Sequence, residues 1–201
     1  GNPDYSTIQA AVDAIESGAE STDTIYVQPG TYDPVNVDSA SELNLVSIQG
    51  PEETIIDAAG SSNAIAVQVN AGSVSIEGFT VENADGIGVG YWNDVNAGPD
   101  HEDLVVRNNI FVNNGADGLA FGNTENATVT GNYFARNGAS APNPNNGNGI
   151  LMMSLQNSEV SENTFVENED SGIYLDDLTG AGYLANTGIT VENNNFVDNP
   201  E

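Results

Sequence analysis

The chain has no cysteine and no lysine, and it has only two arginines and one histidine. It also lacks any apolar run near the ~20 residues of a membrane helix, and its first residues do not read as a signal peptide. Without cysteine there are no disulfides and no thiolate metal sites. With one histidine and two methionines, no soft-ligand cluster for copper can form either. Arg107 and Arg136 stand against 30 aspartates and glutamates. That excludes a nucleic-acid partner, because phosphate binding needs cationic side chains to displace counterions.

A formal net charge of -28 on 201 residues is the dominant compositional fact. So much like charge strains a compact state in dilute buffer through self-repulsion. Molar salt shortens the Debye length to ~3 Å and removes most of that strain. Lysine depletion with abundant carboxylates therefore predicts a protein of an extreme halophile. An acidic disordered chain would carry similar charge, but apolar residues recur here at regular positions and make up 38% of the sequence, so the chain folds. Its length suits one domain, residues 1–201.

The regular positions form a repeat. "VRNNIFV" (106–112), "VTGNYFA" (129–135), "VSENTFV" (160–166) and "VENNNFV" (191–197) align Asn109, Asn132, Asn163 and Asn194, and two residues on, Phe111, Phe134, Phe165 and Phe196. "IEGFTVEN" (76–83) is a looser copy, with Phe79 in the Asn column and Val81 in the Phe column. Copies are 30, 23, 31 and 31 residues apart, a constant turn of structure carrying insertions. A third apolar run follows each copy, as in "GIGVGY" (86–91), "GLAFGN" (118–123), "GILMMS" (149–154) and "GIYLDD" (172–177). Three strands per turn predict an all-β parallel solenoid of about six coils over residues 24–199. Stacked coils place like residues ~4.7–4.8 Å apart, where Asn amides bond along a ladder and Phe rings stack.

An amphipathic helix is expected at 6–17, with Ser6 and Gln9 as a capping box, Ile8, Ala11, Val12 and Ile15 on one face, and Gly18 as its stop. It would plug the first coil. The last coil has no equivalent, which predicts a module of a longer protein, with self-association or continuation of the chain at that end.

"DYSTIQAAVDAI", "TIYVQPGTYD" and the Asn-bearing repeats together resemble the right-handed parallel β-helix proteins of the pectate-lyase-like superfamily, over nearly the whole chain. That resemblance implies a single-stranded right-handed β-helix. It leaves the activity open among lyases, hydrolases, epimerases, tail spikes and adhesins. It also implies that a polysaccharide ligand would lie over the third-strand sheet.

Insertions at 91–103, 139–148 and 178–187 all flank the third strand, so they should wall a groove over its outward face. With Ile87, Leu119, Ile150 and Ile173 taken as aligned and inward, the floor is Gly88, Ala120, Leu151 and Tyr174, plus Gly90, Gly122, Met153 and Asp176. Small residues would open one half of that floor. Tyr91, Trp92, Tyr174 and Tyr183, with Met153, are the candidate ligand contacts, since aromatic faces stack on sugar rings. Asp176 and Asp177, with His101 from the large insertion, are the candidate acid–base groups. Calcium at Asp170, Asp176 and Asp177 is the metal such carboxylates would take, although the fold requires no cofactor.

Lyases of this fold use Arg or Lys near the substrate, and neither arginine lies on the predicted floor. The hydrolase pattern of separated Asp pairs with His-Gly and Arg-x-Lys motifs is absent as well. The expectation is therefore an extracellular or cell-surface module that binds carbohydrate without catalysis. The alternatives are a polysaccharide lyase, hydrolase or epimerase, and a structural stalk, adhesin or viral spike segment.

Overall fold

The computed structural model describes residues 4–38, 42–67, 72–91, 101–139, 146–176 and 185–200. Their strands form three long parallel sheets, visited in turn by each winding. The first sheet runs from Thr24–Val27 through Glu42–Ser47, Ser73–Glu77, Val105–Arg107, Thr128–Thr130 and Glu159–Ser161 to Thr190–Glu192. The second runs from Gly30–Tyr32 to Asn195–Val197, and the third from Val35–Val37 to Ile173–Asp176. Among the described residues this makes six complete windings and two strands of a seventh, close to the number expected.

Alternation within each short strand sends one residue type inward at every level. The first sheet stacks Leu45, Ile76, Val106, Val129 and Val160. The second stacks Ile56, Val81, Phe111, Phe134 and Phe165. All ten are fully buried. The phenyl rings are nearly parallel, with centroids 4.7, 5.1 and 5.0 Å apart from Phe111 to Phe196.

At the first corner the expected amide ladder is present. Asn109 Nδ2 donates to Asn132 Oδ1 at 3.1 Å, Asn132 to Asn163 at 2.9 Å and Asn163 to Asn194 at 3.1 Å. Phe79 stands below it as aligned, its N–H donating to Asn109 Oδ1. A second ladder turns the next corner through Asn114, Asn137, Asn168 and Asn199, with Nδ2 to Oδ1 distances of 3.0, 2.9 and 2.9 Å. Its signal is visible in the sequence, because each member lies five residues after one of the first ladder. A left-handed backbone belongs to the residue before each ladder asparagine: Asn108, Gly131, Glu162 and Asn193 at one corner, and Asn113, Arg136, Glu167 and Asp198 at the other. That residue bends the chain, leaving the next side chain free to bond between windings.

The helix spans Ile8–Glu16 and its N-cap is Thr7, whose Oγ1 accepts from the Ala10 N–H at 3.1 Å. The capping box assigned to Ser6 and Gln9 is thus corrected. Gln9 instead reaches the edge of the third sheet, its Nε2 donating to Asn36 O at 3.0 Å and its Oε1 accepting from the Asn36 N–H at 2.8 Å. At the other end the last inward residues among those described are Val191 and Phe196, 48% and 52% exposed.

Candidate functional site

The third sheet carries the candidate site, and its register is set by glycine. Gly88, Gly118, Gly149 and Gly172 form one column just before the inward residues. A Cβ on Gly88 would lie 2.5 Å from Gly118 O, and one on Gly149 would lie 2.6 Å from Gly172 O and 2.5 Å from Phe165 Cδ1. The windings approach too closely there for any side chain. Gly88, not Gly86, is therefore the partner of Gly118, and Val89, not Ile87, pairs with Leu119.

This two-residue correction moves Tyr91 out of the expected groove. It pairs with Phe121, is fully buried, and donates its hydroxyl to Gly72 O at 2.9 Å. Burial, with the charge of Asp103 beside it, pushes its phenol far above the usual range. Tyr91 shares the parity of Val89, so strict alternation alone would have placed it inside.

Outward, Gly90, Ala120, Leu151 and Tyr174 form one column, and Gly122, Met153 and Asp176 the next. The expectation of an open half is also corrected, since Gly90, Ala120 and Gly122 are buried. One cause is Met153, whose Cβ and Cε lie 3.4 and 3.7 Å from where a Gly122 Cβ would be. Leu151, Met153, Tyr174 and Asp176 are half-buried and make a two-by-two patch, with Tyr174 beside Leu151 and Asp176 beside Met153. Asn186 Nδ2 donates to the Asp176 carbonyl at 2.8 Å, and Asn186 Oδ1 accepts from the Leu155 N–H at 2.8 Å, which ties down the strand end. Ser154, just past Met153, has a buried Oγ with no partner.

Of the remaining predicted residues, the two that are described, His101 and Asp170, do not join this patch. His101–Glu102 forms a short ladder with Thr124–Glu125 at the corner after the third sheet. It lies three windings from Asp176, about 14 Å along the axis at the usual strand spacing. Asp170 precedes the strand that Asp176 closes, its N–H donating to Gly147 O, so the two carboxylates sit at opposite ends of it. Among the described residues no three His, Cys, Asp or Glu side chains converge to hold a metal. Trp92, Asp177 and Tyr183 lie outside the described residues.

One carboxyl that sequence reasoning missed is Asp117, 1% exposed in the turn before Gly118. Its Oδ1 accepts from the Gly147 N–H at 3.0 Å, the Asn148 N–H at 2.9 Å and Asn148 Nδ2 at 2.8 Å, pinning the end of the insertion at 139–148. Its Oδ2 is buried without a partner. Burial raises its pKa, and the three donors only partly offset this. Only its place directly before the glycine column, shared with Asn148 and Ser171, marks it in the sequence.

The family model described as right handed beta helix region matches residues 63–201. Among solved structures, an alginate lyase from Paenibacillus sp. str. FPU-7 aligns with a TM-score of 0.49 and 14% identity, covering 94% of this chain and 73% of that one. The A-module of the Azotobacter vinelandii mannuronan C-5 epimerase AlgE4 aligns with a TM-score of 0.37 and 14% identity, covering 96% and 71%. No curated protein sequence matches.

Proposed function

We propose that this chain, which belongs to the right-handed β-helix family, is a non-catalytic carbohydrate-binding module that holds its ligand on the outer face of the third sheet. The observation that carries this reading is the register of Leu151, Met153, Tyr174 and Asp176, which sets an aromatic ring beside a carboxylate on a flat two-winding patch. A sugar ring offers the complementary pair. Its C–H face stacks on Tyr174 and the apolar neighbours, and its hydroxyls donate to Asp176.

His101, three windings from Asp176, stands too far away to share a proton-transfer step with it, which supports binding over the His101–Asp176 acid–base pairing. A face with this charge repels polyuronates and favours neutral glycans. The composition, with a net charge of -28 and no lysine, further supports a protein of a high-salt environment.

Titration of neutral oligosaccharides in molar NaCl tests the reading. Binding should weaken at least tenfold in Tyr174→Ala and in Asp176→Asn, and Trp92→Ala reports whether the insertion beside Tyr91 joins the site. Affinity unchanged in both patch variants would sink the assignment of the face.

A further inference from the structure

The first winding leaves three sheets with a free edge, and the helix closes one of them. Gln9 saturates both backbone groups of Asn36, and Glu16 Oε1 accepts from the Asp38 N–H at 2.6 Å, so the edge of the third sheet offers little to pair with. The first sheet is treated differently. Its terminal strand, Thr24–Val27, pairs only with Glu42–Ser47. In that ladder the Asn44 N–H donates to Asp23 O at 2.7 Å and the Ile48 N–H to Val27 O at 3.1 Å. Residues 23, 25 and 27 therefore face the partner strand, while Thr24 and Tyr26 direct their N–H and C=O the other way. The Thr24 N–H is taken by the Thr22 hydroxyl at 3.2 Å. The backbone of Tyr26 has no partner among the described residues.

A cavity of about 470 Å³ runs along this edge. It is lined by five consecutive residues, Thr24 to Gln28. Neighbouring residues of a strand point to opposite faces, so a space touched by five in a row lies against the strand's edge. Ile8, Ala11 and Ile15 of the helix form the opposite wall. At the rim, Asp4 and Glu20 are the charged lining residues, with Glu20 held by the Tyr5 hydroxyl at 2.6 Å. Tyr32 completes an aromatic border with Tyr5 and Tyr26, its hydroxyl donating to Gln28 O at 2.8 Å. No cationic side chain among the described residues lines the cavity.

We propose that this slot receives an extended peptide segment bearing lysine or arginine side chains, which adds to the first sheet as a strand at Tyr26. Main-chain pairing supplies what an unpaired edge lacks, and alternate side chains of the peptide project to either side. On one side they meet the apolar wall of the helix. On the other, their cationic ends reach Asp4, Glu20 and the tyrosine faces, which attract both by charge and through the ring quadrupoles. A volume of this size lies within the range of ligand pockets.

The test is a titration of isotopically labelled protein with the peptide acetyl-Lys-Val-Lys-Val-Lys-amide at fixed ionic strength, followed by backbone amide resonances. The Tyr26 amide should shift saturably. An analogue N-methylated at its three inner residues keeps the charge but cannot pair as a strand, and should bind at least tenfold more weakly. The serine analogue, acetyl-Ser-Val-Ser-Val-Ser-amide, should also lose about tenfold. Tyr26→Pro removes an N–H that the fold does not use, which edge strands tolerate, and should abolish the shift in neighbouring residues. A Tyr26 amide that does not move, or an N-methylated peptide that binds as well as the parent, overturns strand addition. Equal binding of the serine peptide overturns the cationic partner. Should Tyr26→Pro fail to fold, the two analogue comparisons still decide.

Discussion

Phe134 lies face to face with Phe165 in the winding above, centroids 5.1 Å apart and 7° from parallel, with Phe111 at 4.7 Å on its other side. A ring held between two rings cannot be removed without a void. Phe134→Ala should cost about 3–5 kcal/mol in chemical denaturation. A loss below about 1 kcal/mol would mean that the stack relaxes freely and does not hold the windings together.

The second amide ladder yields a sharper expectation. Asn137 accepts from the N–H and Nδ2 of Asn114 and donates to Asn168 Oδ1 and Phe111 O. Asn137→Ala strips partners from several buried groups at once, each costing about 1–3 kcal/mol when left unmade. Its destabilisation should rival that of the phenylalanine variant although far less apolar surface is lost. Unfolding midpoints of the two variants, compared directly, check this.

Gly149→Ala should be among the most damaging single-methyl changes in the chain. The added carbon meets Phe165 Cδ1 at 2.5 Å and Gly172 O at 2.6 Å, the latter backbone that cannot swing aside. Gly60→Ala serves as its comparison. The backbone there, unlike that of Gly149, is left-handed but nothing lies within 4 Å, so the cost should reflect conformation alone, roughly 1 kcal/mol.

Asp117 predicts a pH dependence whose sign follows from its burial. Its folded-state pKa is raised above the unfolded value. The protonated form is therefore favoured by folding, and its contribution is full below the ordinary carboxylate pKa near ~4. That contribution is lost as pH climbs through the raised value. Asp117→Asn keeps an oxygen for the donors of Gly147 and Asn148 and carries no charge. Its stability relative to wild type should rise with pH from about 3 to 7. A difference that stays flat across that range would show that Asp117 titrates as it does in the unfolded chain.

Salt tests the reading of the composition. Among the described residues there is one ion pair, Arg107 with Glu77 at 2.7 Å, so few attractions stand to be screened against the repulsion of a net -28. The unfolding midpoint should rise steeply between about 0.1 and 1 M NaCl as the Debye length falls from ~10 to ~3 Å. A midpoint that falls or stays level would discard the halophile assignment.

The fold was legible because windings in register repeat their constraints: Asn109, Asn132, Asn163 and Asn194 each had to meet the next amide, and the phenylalanines each had to meet the next ring. The site was less so. Two glycines, Gly86 just before the strand Ile87–Tyr91 and Gly88 within it, each stand directly before an apolar residue, and only the contact of Gly88 with Gly118 O decides which one belongs to the column. Taking the wrong one carried Tyr91 two residues along, to the strand end and the insertion that follows, where alternation no longer argued for burial. His101 and Asp176 looked related because both flank the third sheet, although the runs GIGVGY, GLAFGN, GILMMS and GIYLDD already set them three windings apart. Gln9 was misread because a local helix-end role competed with a bond to Asn36, 27 residues away.

The amide ladders and ring stacks join each winding only to the one before and the one after it. Pulled from its two ends, such a molecule would not give way in a single break. It would pay out like thread from a spool, one turn at a time, yielding a series of force peaks. The length released per peak would match the 31, 31 and 23 residues that separate the asparagines, so the irregular spacing of the sequence could be read back as a ruler.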